Sequence, residues 1–445
     1  MNAYWYSIQW GFKPWLNKVK ASGGCLSFSE EIYRAKLYKI WAQICQGTFD
    51  WRDIVYLLTN GRIVLEDQIV DNHAVVIEHD SIVAIIPEQE AATYKGYQII
   101  DANGGYISPG FVDIHSDYIE GIVSPRPTTL MDFNMGIREA ERILISHGIT
   151  TMFHSLSIYK DDGFSHKPIR NPKNVNRLIH AINETHTSEH LIRNRMHARF
   201  EIDNIEQVDA FVQNIEDEKV HLISFMDHTP GQGQYRNLEI YRETLKGYND
   251  ITDDEIDEII TNGMKKDKLT LDQIKEISQL ALEKNIAVAS HDDDELEKLS
   301  LVKSYGTTIS EFPTTLEVAK KAKEMGLWTI AGAPNVMLGG SHSGNLCATE
   351  AIRESAIDIL CSDYYPPALL HSIFLLGEKK GQDLHEMFQL VTLNPAKAVR
   401  MDDQIGSIKE GKKADIIIIE RMDDGFPMVT ATLVDGKLMT RTNYR

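Results

Sequence analysis

The chain has 445 residues, too many for a single hydrophobic core, which stops growing at about 250–300 residues. Hydrophobic residues at 42% and charged residues at 25% are the proportions of a folded chain and exclude wholesale disorder. A net charge of −19 argues against a nucleic-acid or anionic-membrane partner, and an anionic small molecule would need local cations to offset that field.

Residues 1–55 hold five of the six tryptophans, leaving only Trp328 beyond them. Within them SFSEEIYRAKLYKIWAQICQG predicts an amphipathic helix. Ser27 and Glu30 suit a capping box, Ile32, Ile40, Trp41 and Ile44 form a stripe, and Gly47 ends it. A leader or loosely packed extension is the expectation for this segment, ahead of a docking appendage. It lacks the basic start and unbroken apolar stretch of a secretory signal. No apolar run along the chain approaches the ~20 residues of a membrane span. Cys25, Cys45, Cys347 and Cys361 form no CxxC pair, so neither a disulfide framework nor a zinc knuckle is indicated, and a reducing cytoplasm is expected.

From Tyr56 the texture turns to short β runs, with Asn60-Gly61 expected to turn a hairpin. The C-terminus repeats it, with turns at Glu410-Gly411 and Asp435-Gly436. The two ends, 56–108 with 396–445, are expected to share a small β-rich composite β-sandwich. Residues 109–395 would be inserted between them. That middle alternates apolar runs (111–115, 149–157, 198–202, 221–228, 286–293, 307–313, 327–334 and 358–363) with helical stretches, the pattern of a (β/α)8 TIM-type barrel. Residues 238–270 read as a charged helical insertion. A doubly wound open sheet is the alternative, weakened by the absence of GxGxxG after a first strand.

Acids and imidazoles fall at the C-terminal ends of these runs, where a barrel keeps its active site. They are His115 and Asp117, Glu201, Asp227 and His228, His291 and Asp292, Glu311, and Asp363. Alternation with period two puts His115 and Asp117 on one face, with Asp113 one step lower. Imidazole with carboxylate suits zinc, iron or manganese. Glu201 alone in an apolar strand is otherwise a costly buried charge. His228 and His291 have satisfied core histidines as their other reading. Glu311 reads as structural or substrate-facing, and two of Asp292, Asp293 and Asp294 as solvated loop. Eleven other histidines, His197 among them, read as surface or packing residues. Three donor-rich loops suit a polyanion. APNVMLGGSHSGN offers Gly340, Ser341, His342 and Asn345, SPRPTT offers Arg126, and DHTPGQGQYR offers Gln232, Gln234 and Arg236.

PGFVDIHSD, GITTM, SHDD, NPAKAV and GSIKEGKKADIIII resemble the amidohydrolase superfamily. HSDYIEGIVSPRP, SFMDHTPGQGQYR, SEFPTT, AGAPNVMLGGSHSGN and CSDYYPPALL resemble, within it, the PhnM-type family of phosphonate utilisation. The resemblance spans residues 56–445. It implies a metal-dependent diphosphatase of the carbon–phosphorus lyase pathway that hydrolyses α-D-ribose 1-methylphosphonate 5-triphosphate to the 5-phosphate and diphosphate. It also implies two divalent ions (zinc, manganese or iron), with His115, Asp117, Glu201, His228, His291 and Asp363 as metal residues and Glu201 as a candidate bridge. The absence of lysine from ARFEI and LISFMDH disfavours a carbamate bridge. Two departures stand out: the usual HxH is His115-Ser116-Asp117, and Glu311 stands where many relatives carry histidine. An oxygen-richer set favours harder ions such as manganese, magnesium or iron. Asp363 is then the expected general base, His342 a proton donor, and Arg126, Gln234, Arg236, Gly340, Ser341 and Asn345 the substrate-binding set. A small phosphorylated sugar is the expected partner, and a homo-oligomer stays open. The rivals are a hydrolase of C–N bonds (a cyclic amidase or deaminase) and a non-catalytic scaffold.

Overall fold

The computed structural model describes residues 55–159, 168–231, 238–248, 251–341 and 345–443. The Trp-rich segment and its predicted helix lie outside the described residues. Eight runs in the middle of the chain form parallel strands paired in sequence order. They are Phe111–Ser116, Ile149–Ile158, Arg193–Glu201, Leu222–Met226, Ala287–His291, Ile309–Glu311, Trp328–Gly332 and Ile359–Cys361, called strands one to eight of the barrel. Their near-continuous apolar runs fit strands covered on both faces. The ring closes between strands eight and one through a parallel bridge from Ser116 to Asp363. There the Asp363 N–H donates to the His115 carbonyl at 3.1 Å, and the Asp117 N–H to the Asp363 carbonyl at 2.9 Å.

Helices clothe the barrel for local reasons. Phe133–Ser146 buries Phe133, Ile137, Ala140 and Leu144 at helical spacing, and Asp132 caps it by accepting from the Met135 N–H. Leu271–Glu283 starts from a Thr270/Gln273 capping box. The predicted insertion is a pair of helices, Leu238–Tyr248 and Asp253–Gly263, packed through Tyr241, Leu245, Ile256 and Ile260. Among the described residues no helix is long and apolar enough to cross a membrane.

Both chain ends build a second, eight-stranded sheet. Asn60-Gly61 does not turn a hairpin. It lies inside one strand, Val55–Val64, where the pairing with Ile69–Glu78 shifts register. Asn60 takes φ 54° at this bulge, and a Cβ on Gly61 would sit 2.8 Å from Ala102 and Ile107 side chains. Asp435-Gly436 does turn the last hairpin, at φ 46° and 71°.

Arg193, at the start of barrel strand three, ties this sheet to the barrel. Its guanidinium pairs with Asp415 at 2.7 Å and Asp435 at 2.8 Å and donates to Thr151 Oγ1 at 3.0 Å. The Arg193 and Asp415 side chains are both almost fully buried. Arg193→Ala would leave Asp415 buried without its cation. The expected loss of unfolding free energy is about 3–5 kcal/mol, read from the urea midpoint at constant slope.

Candidate active site

The barrel interior changes chemistry along its strands. Ala287 and Ala289 precede His291, Ile309 precedes Glu311, and Ile359 and Cys361 precede Asp363, each series on one face by the period of two. The apolar members pack in one buried cluster. The polar members gather where the strands end, at the face where such barrels hold their sites. The residues that follow strands five, six and eight, namely Asp292, Phe312 and Asp363, hold left-handed backbone at φ 52°, 54° and 57°. Such conformations cost non-glycine residues of order 1–3 kcal/mol each and cluster at functional sites.

The side chains form two layers. In the lower layer His115, His197 and Glu311 bring one candidate ligand atom each within 4.8 Å of the others. His115 Nδ1 lies 2.9 Å from Glu311 Oε1, and His197 Nε2 lies 3.7 Å from Glu311 Oε2. Burial pushes both imidazoles far down, His197 to about 3, so both are neutral. His197 is already well bonded, with Nδ1 on Ser155 Oγ (3.0 Å) and the Ile114 carbonyl (3.1 Å), and Nε2 on Ser224 Oγ (3.0 Å). In the upper layer His228, His291 and Asp292 form the second such group, with Glu201 in contact with His228 Nδ1. His291 Nδ1 lies 2.7 Å from Asp292 Oδ2, and His228 Nε2 lies 3.9 Å from the same oxygen. Burial opposes the charge on His228, but Glu201 and Asp292 outweigh it and raise its pKa. Burial likewise opposes ionisation of Asp292, and His291 and His228 overcome it and hold the carboxyl down at about 2.

Arg199 stands between the layers. His197, Arg199 and Glu201 alternate along strand three and share its inner face. The Arg199 Nη2 donates to His291 Nε2 at 3.1 Å. Its Nε is buried without a hydrogen-bond partner among the described residues. Asp363 sits at the barrel's closure. Burial, with the Asp117 carboxylate second, raises its pKa to about 7, against the pull of Arg199. The buried Asp113 carboxylate accepts from the Ser362 N–H at 3.2 Å and so fixes the backbone that carries Asp363. At the rim, Arg170 pairs with Glu120 at 3.0 Å and lies over the Tyr159 ring.

The structure thus brings together His115, Glu201, His228, His291 and Glu311, with Asp117 and Asp363 at the seam. Asp227 instead pairs with Lys268 at 2.8 Å. Arg126 is exposed in the loop after strand one, while Gly340, Ser341 and Asn345 are half-buried. Gln232, Gln234, Arg236 and His342 lie outside the described residues. His197 is no surface residue: its ring is fully buried in the lower layer, bonded to Ser155, the Ile114 carbonyl and Ser224 beside Glu311. Arg199 and Asp292 join the centre as well. The signal for His197 and Arg199 is their phase with Glu201.

This donor set fits a divalent ion. Imidazoles and carboxylates converge, and the buried Glu311 Oε2 has no hydrogen-bond partner among the described residues.

Residues 106–439 match the model of the amidohydrolase family, and residues 55–104 that of the NagA composite domain. The chain is 31% identical over 383 residues to the alpha-D-ribose 1-methylphosphonate 5-triphosphate diphosphatase of Escherichia coli (strain K12), covering 83% of this chain and 96% of that one. It is 24% identical over 388 residues to an imidazolonepropionase of Fusobacterium nucleatum, covering 79% and 86%. Among solved structures it resembles N-acetylglucosamine-6-phosphate deacetylase from Pasteurella multocida, with a TM-score of 0.58 at 13% identity over 86% of this chain and 99% of that one. A metal-type donor set at the mouth of a barrel flanked by a sheet from both chain ends, and a family match over most of the chain, lead to one conclusion: the protein belongs to the amidohydrolase family.

Proposed function

We propose that this protein is a metal-dependent diphosphatase of phosphonate utilisation, cleaving α-D-ribose 1-methylphosphonate 5-triphosphate to the 5-phosphate and diphosphate in the cytoplasm. The observation that carries this reading is the similarity to the Escherichia coli diphosphatase over nearly the whole length of that enzyme. The barrel of residues 109–395 would do the chemistry, with the sheet of 56–108 and 396–445 as its buttress. Glu201, His228, His291 and Asp292, with His115, Asp117, Glu311 and Asp363 around them, are the residues that would hold divalent metal. Such an ion, when bound, acidifies water and draws charge from a phosphoryl oxygen.

The chain's own residues supply the rest. Asp363, poised near neutrality, takes the proton of the attacking water at its carboxylate. Asp113 holds the backbone beneath it through Ser362. The anhydride oxygen between two phosphoryl groups then leaves with diphosphate. Arg199, with Arg126 and Arg236 as further cations, would offset the growing negative charge, and Gly340, Ser341 and Asn345 would bind the leaving group, with His342 as its proton donor.

A second reading, hydrolysis of a C–N bond, draws on the Fusobacterium nucleatum relative. One assay separates them. Metal-loaded protein is mixed with the ribose triphosphate ester and followed by phosphorus NMR, beside a panel of cyclic amides and aminopurines. Diphosphate release from the ester alone is the expected result. Turnover of the panel without diphosphate would replace the proposal by its rival.

A further inference from the structure

The proposed substrate is anionic at both ends, with a triphosphate on one side of the ribose and a methylphosphonate on the other. The diphosphatase reading, on which this inference rests, gives the triphosphate end its partners in the centre and in Gly340, Ser341 and Asn345. It gives the phosphonate end none. The residues 340–345 follow strand seven, and in a ring of eight strands paired in order strand seven faces strand three. A ribose held with its triphosphate toward strand seven turns its phosphonate toward strands two to four, and that anion needs a cation there.

Arg170 stands on that side. It ends the short 3₁₀ turn Pro168–Arg170, which follows strand two. Its Cζ lies 5.3 Å from the centre of the Tyr159 ring, and that ring lies 6.3 Å from the ring of His228, beyond the end of strand four. Glu120, in the short helix Tyr118–Val123 after strand one, takes both Nε and Nη2 of Arg170 on one carboxylate oxygen, each at 3.0 Å. This pair uses one edge of the planar guanidinium and fixes its plane, and Nη1 lies on the other edge, outside the pair. The two partners differ in exposure: the Glu120 side chain is 2% exposed and that of Arg170 is 23%. The carboxylate is the buried anchor, and the guanidinium is the member that meets solvent at the mouth. Arg126, also on this side, is fully in solvent, where water and salt screen its charge more.

We infer that Arg170 binds the methylphosphonate group and selects for substrates that carry it. Glu120 is then a positioning residue that holds the fork in place, and Tyr159 is the floor on which the guanidinium lies. A phosphonate oxygen accepts from the guanidinium in a charge-assisted hydrogen bond. Because this contact is remote from the anhydride that breaks, it serves binding more than chemistry and belongs in KM.

The test compares two esters. Metal-loaded, full-length protein is given α-D-ribose 1-methylphosphonate 5-triphosphate or D-ribose 5-triphosphate, which lacks the phosphonate, and initial rates of diphosphate release are followed by phosphorus NMR. Wild type should prefer the first ester. Arg170→Gln should raise KM for it by about 10- to 100-fold with kcat near wild type, the size of one charge-assisted hydrogen bond. KM for D-ribose 5-triphosphate should not move, so the preference disappears. Glu120→Gln, whose amide oxygen still accepts from the guanidinium, should keep most of the preference. If Arg170→Gln leaves Glu120 buried without its cation and fails to fold, the double variant Glu120→Gln/Arg170→Gln removes both charges and should show the same selective loss. Equal losses on both esters would make Arg170 a residue of the fold and overturn the inference. So would a wild type that releases diphosphate from both esters without preference, which leaves the diphosphatase reading standing. Release from neither ester would remove that reading itself, and the inference with it.

Discussion

Asp363→Asn is expected to lower kcat by about 10²–10⁴-fold, the usual contribution of a positioned proton acceptor. That corresponds to a barrier raised by roughly 3–5 kcal/mol. The substitution isolates chemistry from architecture. The contacts that close the barrel here come from the backbone of residue 363, whose N–H and carbonyl bond His115 and Asp117. Asn tolerates the left-handed φ of 57° as well as Asp does. Only the basic oxygen is lost. Because burial and Asp117 lift this carboxyl to about 7, the carboxylate form is populated as pH rises through that value, and kcat/KM should climb with it. A cation in the mouth favours the carboxylate, so loading with metal moves the limb to lower pH. Stability runs the other way. The folded pKa lies above the unfolded one, so the native state is penalised once pH exceeds about 4, the ordinary Asp value, and the penalty is complete above about 7. Asn removes that penalty, so metal-free Asp363→Asn should unfold at a higher urea midpoint than wild type at pH 8. A purely structural Asp363 would give the opposite pair, a weakened fold with its pH limb in place.

The barrel was legible because its strands are buried on both faces. Runs such as FVDIH and IAVASHDD need no partner to declare themselves, and apart from Asp113 their acids and imidazoles fall at their ends. His115, Glu201, His228, His291 and Asp363 could be picked out by that rule. Barrel strand three resisted it. It begins at Arg193, five residues before the apolar run ARFEI, and RNRMH reads as loop. The charge on Arg193 becomes tolerable in a strand only through Asp415 and Asp435, which arrive from the far end of the chain. His197 was lost with that misplaced start, whereas Arg199 lay within the predicted run, in phase with Glu201, and was not read as part of the site. Asp292 was hidden differently. Of the three acids, two were read as solvated loop, yet both Asp292 and Asp293 are buried, Asp293 beneath Ser290 and Ser310 and Asp292 carried to the centre by its left-handed backbone, which composition does not encode. Asn60-Gly61 failed for a related reason, since a dipeptide suited to a hairpin serves equally in a bulge when Ala102 and Ile107 press on the glycine.

The two layers make opposite predictions for their histidines, and the contrast locates the ion. His228 touches Glu201 through Nδ1, faces Asp292 through Nε2 and keeps part of its side chain in solvent. His228→Ala should weaken metal binding by more than about 100-fold, beyond the loss typical of residues that merely support a ligand. Activity at limiting metal should fall in proportion, and excess metal should restore part of it. Its pKa, raised chiefly by Glu201 against burial, adds a pH signature. An entering ion must displace the proton, so wild-type metal uptake should weaken as pH falls through that value, and the Ala variant should lose this dependence. His197→Ala should behave otherwise. Ser155, the Ile114 carbonyl and Ser224 would all lose a buried partner, and Glu311 its polar neighbour. At about 1–3 kcal/mol for each unsatisfied group, the fold should lose about 3 kcal/mol or more. Bound metal per folded chain should hardly change. Titration of both variants with manganese, beside their urea curves, reads the two effects separately. An unaltered metal affinity in His228→Ala, together with loss of the ion in His197→Ala, would move the centre down to the buried layer and make Glu311 a ligand, against its sequence reading as structural or substrate-facing.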